Sequence, residues 1–137
     1  MSRTSASMPE PLSARSAPHP RAPELEVAQP EDAKLIALAR AALARTGSRE
    51  AAAVRDRAGR SYLATAVSLP ALRLAALEAD DAAAVSSGAE GIEAAAVVTA
   101  EGGPVEGVAA VRDLGAGADP APILVADPRG RLREILR

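Results

Sequence analysis

Two short runs that are apolar from end to end constrain the fold of this chain most: Ala94-Ala95-Ala96-Val97-Val98 and Ile123-Leu124-Val125-Ala126. A run of that length with no polar alternation fits a strand covered on both faces. The spacing predicts strands over residues 92–100 and 121–127, with helical segments before and between them. Strands and helices alternating in this way need right-handed crossovers, which make neighbouring strands parallel.

The rest of the chain extends this frame. Pro30-Glu31-Asp32 is a helix-start signal, with acids in the first turn. Leu35, Ile36, Leu38, Ala39, Ala42 and Leu43 follow at helical spacing, and Gly47 closes a helix over residues 31–46. Residues 50–56 and 60–68 read as strands joined by the turn Asp56-Arg57-Ala58-Gly59, a hairpin that makes the sheet mixed. In the second of these strands Tyr62, Ala64 and Ala66 alternate with Ser61, Leu63, Thr65 and Val67, so both faces are expected to be covered. Pro70 sits at a first helical position. Leu72, Ala75, Ala76, Ala79, Ala83 and Val85 then mark a second helix that Gly88 ends. Gly102-Gly103-Pro104 is a loop, and a short helix is expected over residues 106–114. Asp127-Pro128-Arg129-Gly130 is a turn, and residues 131–136 form an edge strand or a short helix. The expected class is α/β, a three-layer α/β/α sandwich with a mixed sheet over residues 30–137.

Residues 1–29 differ. With Pro30 at the edge they hold six of the eleven prolines, several serines and few apolar residues. Such a segment cannot bury enough surface to offset its ordering entropy, so a disordered Pro/Ser-rich tail is expected. Its arginines (Arg3, Arg15, Arg21) balance its glutamates (Glu10, Glu24, Glu26), so it is no basic arm. It contains no strong PxxP-like motif. His19 lies in it between two prolines and reads as a solvated tail residue.

Composition narrows the chemistry. The 137 residues include no Cys, Trp or Phe, one Tyr (Tyr62) and one His (His19), and the net charge is −2. Without cysteine there is no disulfide, thiolate nucleophile or Cys-based metal centre. Lack of basic excess and of aromatics argues against nucleic acid as a partner. No apolar run reaches a membrane span, and the N-terminus lacks the apolar centre of a secretory signal. A cytoplasmic location is expected. An alanine-rich core buries less area per residue than one of Leu or Phe, so a homo-oligomer is expected too.

The order of elements, together with several short motifs, is similar to the cytidine deaminase family from residue 31 to the C-terminus. The motifs are Asp56-Arg57-Ala58-Gly59-Arg60-Ser61-Tyr62, Ala84-Val85-Ser86-Ser87-Gly88, Ala94-Ala95-Ala96-Val97-Val98, Gly103-Pro104-Val105 and Pro122-Ile123-Leu124-Val125-Ala126-Asp127. The resemblance implies a zinc ion held by one ligand on a C-A-E motif and two on P-C-G-A-C-R, with water in the fourth position. A glutamate that is not a ligand would move the proton. It also implies dimers or tetramers.

The chain departs from this pattern where the chemistry lies. The ungapped match places Ala75 at the first ligand, Leu77 at the glutamate, and Val108 and Val111 at the paired cysteines. Ala66 and Ser68 stand at the ribose-contacting Asn and Glu of N-V-E-N. Thr46-Gly47-Ser48-Arg49 replaces the motif between the first helix and first strand. Arg112 keeps the arginine of the second motif and, without thiolates, reads as a surface or interface residue. A two-residue deletion between Leu69 and Ala75, or elsewhere in the second helix, leaves room for a shift that brings Glu78 near the catalytic slot. No shift supplies zinc ligands to a chain without cysteine.

The expected catalytic, substrate-binding and metal residues are therefore none, and the expected cofactor is none. Glu78, Asp80 and Asp81 read as a solvated acidic helix face rather than a magnesium-type site. Gly115-Ala116-Gly117-Ala118 does not follow a strand into a helix and reads as a loop rather than a phosphate cradle. Three functions compete: a non-catalytic pseudoenzyme acting in assembly or partner binding, a cytidine deaminase, and a nucleoside-binding regulatory protein.

Overall fold

The computed structural model describes residues 30–115 and 120–137. The expected tail over residues 1–29 and part of the Gly115–Ala118 loop lie outside them. The elements are α1 (Pro30–Thr46), β1 (Glu50–Asp56), β2 (Ser61–Thr65), β3 (Val67–Leu69), β4 (Leu72–Leu74), α2 (Ala76–Ser86), β5 (Ile92–Thr99), α3 (Val108–Asp113), β6 (Ile123–Ala126) and β7 (Leu132–Leu136). Five strands form one sheet in the order β2-β1-β5-β6-β7, and β3 and β4 form a separate hairpin. β5 and β6 are parallel, joined by the crossover that contains α3, and the other neighbours are antiparallel. The sheet is mixed and the class is α/β, with a helical layer on each face.

The two apolar strand runs explain the layers. Ala52, Val54, Ala95, Val97, Ile123 and Val125 turn to one face and pack with Ala76, Leu77 and Ala84 of α2 and Val111 of α3. Ala51, Ala53, Ala94, Ala96, Val98, Leu124 and Ala126 turn to the other and meet Leu35, Ile36, Ala39 and Ala42 of α1. Alternate residues thus serve opposite cores. Alanine has low strand propensity, and double-sided burial overrides it here.

The first and last hairpins use one turn chemistry twice. Asp56 Oδ1 accepts from the Ala58 and Arg60 amides, both at 2.9 Å. Asp127 Oδ1 accepts from the Arg129 and Arg131 amides at 2.9 and 3.0 Å. Gly59 and Gly130 supply the positive φ of 88° that closes each turn. Burial opposes ionisation of Asp56, but bonds from the Arg60 amide, the Tyr62 hydroxyl and the Ala58 amide outweigh it and hold the carboxyl below its usual range. Residues 132–136 are a strand, which decides between the two alternatives.

Three expectations fail here. The segment 60–68 is not one strand covered on both sides. β2 ends at Thr65 on the sheet edge, with Ser61 and Leu63 exposed, and Val67 onward turns into the small hairpin. Pro70 does not open the second helix. It sits with Ala71 in the turn between β3 and β4, where Leu69 pairs with Leu72, and α2 starts six residues later. Leu72 mimics the helical repeat because alanine after it fits either pattern, while Pro70 equally suits the second position of a turn. The third failure concerns Asp80 and Asp81 of α2, which are buried.

Candidate functional site

At the end of the sheet where β5 runs out, the first turn of α2 meets the start of α3. Open α/β sheets place their crevices outside the carboxyl ends of parallel strands, and this is such an end. Ala75 is the N-cap residue of α2 and Gly107 that of α3. The contact is close: a Cβ on Gly107 would lie 2.9 Å from Leu77 Cβ and 3.1 Å from Glu78 Cγ. Gly107 also has φ of 93°, so glycine is needed on both counts.

Beside this junction lies a cleft of about 250 Å³ lined by Arg49, Val67, Ser68, Arg73, Leu74, Ala75, Glu78 and Glu106. Ala75 and Ser68 thus line one cavity. Ala66 lies just behind, its amide donating to the Glu50 carbonyl at 3.1 Å. Leu77 and Val111 do not line the cleft. Both are fully buried in the core beneath α2, and half-buried Val108 packs against that core.

The N-terminus of α2 is closed by two carboxylates of the chain itself. Glu78 Oε1 accepts from the Ala75 amide at 2.8 Å, and Glu50 Oε1 from the Ala76 amide at 3.1 Å. Ala75 has no side-chain acceptor, so Glu78 and Glu50 do the work an N-cap Ser or Asp would do. They also answer the positive end of the helix dipole. Glu78 is thus half-buried and bonded, not a solvated residue. Glu50, 6% exposed, is the helix-closing residue the sequence did not reveal. A glutamate heading an Ala-Ala-Ala-Val strand carries no local sign that it will cap a helix 26 residues on.

The remaining polar groups of the cleft balance. Arg49 and Arg73 face Glu78 and Glu106, and Arg49 pairs loosely with exposed Glu101 at 3.7 Å. In the preceding turn Ser48 donates to the Thr46 hydroxyl and, weakly, to the Ala66 carbonyl. These groups can hydrogen-bond and pair charge. Among the described residues no group of three or more His, Cys, Asp or Glu is placed to hold a metal ion. The Arg112 guanidinium donates to the Ala121 carbonyl and ties α3 to the start of β6.

Away from the cleft, the acidic residues of α2 overturn the solvated-face expectation. Asp80 is 0% and Asp81 7% exposed. Neither oxygen of Asp80, and not Oδ1 of Asp81, has a hydrogen-bond partner. Burial first, then the charge of Asp81, pushes the Asp80 carboxyl up to about 9. Burial first, then Asp113, pushes Asp81 up to about 6. The expectation failed because α2 carries few large apolar residues, and its inward face falls on these positions.

The fold and the cleft between two helix starts define an α/β protein of the cytidine deaminase type. A family model described as cytidine deaminase-like matches residues 28–130, and the chain belongs to that family. A crystal structure of cytidine deaminase from Burkholderia pseudomallei superposes with a TM-score of 0.59. It is 22% identical, over 75% of this chain and 89% of that one, which establishes a shared fold. No curated protein sequence matches the chain. No helix among the described residues is long and apolar enough to cross a membrane.

Proposed function

We propose that this chain is a non-catalytic member of the cytidine deaminase-like family, acting through assembly or partner binding, without zinc. The observation that carries this reading is the closed N-terminus of α2. Where the family resemblance calls for a metal and its ligands, the helix amides are taken by Glu50 and Glu78. The positions given to the ligands and the proton shuttle hold Ala75, Val108, Val111 and Leu77, none of which has a donor atom, and two of them are sealed in the core. Zinc does not fit such a set. The residues at the ribose positions, Ala66 and Ser68, weaken the case for a nucleoside ligand in the same way.

The test is direct. The full chain, incubated with cytidine and deoxycytidine, should release no ammonia above the buffer rate. Calorimetry with cytidine and uridine should give no heat beyond dilution. Ammonia release at an enzymatic rate would restore the deaminase reading, and saturable heat without turnover would favour nucleoside-dependent regulation. A dimer or tetramer in the cytoplasm is part of the proposal, and light scattering on the full chain checks the assembly.

A further inference from the structure

The inner face of α2 is unlike that of a helix fixed to its sheet. Its buried residues are Ala76, Leu77, Asp80, Asp81 and Ala84, so one leucine and two carboxyls occupy the places where α1 puts Leu35 and Ile36. Buried carboxyl oxygens without partners are costly, and more so when ionised. We propose that α2 is a proton-gated element, lying on the sheet while Asp80 and Asp81 are neutral and working loose from it as they ionise.

Among the described residues, the elements packed on α2 offer these carboxyls no cation. On β1, Glu50 is bonded to the α2 amide, Asp56 to its own turn and Tyr62, and Arg55 turns away to Asp32 and Glu93. On β2 the titratable group is Tyr62, whose hydroxyl is spent on Asp56. On α3, Asp113 repels Asp81, and Arg112 is held by the Ala121 carbonyl. On β4, Arg73 lines the cleft at the start of the helix, which neither aspartate lines. The causes raising both carboxyls are burial and a neighbouring acid, so opening the helix releases protons.

Hydrogen exchange on the full chain across pH reads the gate, with the intrinsic exchange rate divided out. The opening constant for amides 80–86 should rise about tenfold per pH unit between pH 6.5 and 8.5, because one proton leaves on opening. Amides 36–46 of α1, which open with the whole domain, should have smaller opening constants than those of α2 at every pH. Asp80→Asn should flatten the α2 slope over that range. Asp81→Asn should leave it in place and remove only the part below about pH 6. A pH-independent α2 in the unmodified chain overturns the proposal whether or not a variant folds. Equal opening constants in α1 and α2 at every pH also overturn it, since α2 would then open only with the whole domain.

Discussion

The two helical layers rest on one sheet but are made of different material. α1 buries Leu35, Ile36, Ala39 and Ala42, with Leu38 and Leu43 at the edges and no charged residue among those it buries. Its polar contacts sit at the rim, where Arg55 bridges Asp32 and Glu93 at 3.1 Å each. The opposite layer, α2 with the short α3, buries Leu77 and Val111 beside two aspartates and keeps its start in place with glutamates. The α1 layer serves stability. The α2 layer carries two buried carboxyls whose oxygens lack partners, a cost the α1 layer does not bear.

Substitutions on the two sides should separate these roles. Leu35→Ala opens a cavity in the α1 layer and should cost about 4 kcal/mol in chemical denaturation. Asp80→Asn in the other layer should have the opposite sign. The folded pKa of Asp80 exceeds its unfolded value, so the folded state holds a proton that the unfolded chain releases at neutral pH. Its stability is therefore full near pH 4 and falls as pH rises towards 9. The variant should gain about 4 kcal/mol at pH 7, the gain vanishing near pH 4. A neutral or negative effect at pH 7 would erase the contrast between the layers. Gly107→Ala should cost about 2 kcal/mol, from a strained positive φ and contact with Leu77. Glu50→Ala should cost about 1 kcal/mol by freeing the Ala76 amide, with exchange of the first α2 amides rising before that of α1.

Most of the frame was legible in residue order. The Ala94–Val98 and Ile123–Ala126 runs, the paired Asp-x-x-Gly turns and Pro30 at the start of α1 each act locally, so they are written where they work. The β3–β4 hairpin was not legible, because Pro70 and the alanines after Leu74 suit turn and helix alike. The site was half legible. Motif spacing brought Ala75 and Ser68 to one cleft, but Glu50 and Glu78 close α2 through contacts the spacing does not encode. Nor did the sequence tell that Asp80 and Asp81 face inward. A helix so rich in alanine has no apolar stripe strong enough to fix its rotation, and tertiary packing chose the face.

Zinc uptake tests the central claim most directly: that Ala75, Val108 and Val111 occupy the family's ligand positions and leave the chain without metal. The unmodified protein and the combined variant Ala75→Cys, Val108→Cys, Val111→Cys would be equilibrated with zinc, desalted and assayed for metal. We expect none retained by the unmodified chain and one zinc per chain in the folded variant. One zinc per chain in the unmodified protein, or none in the folded variant, would contradict the account.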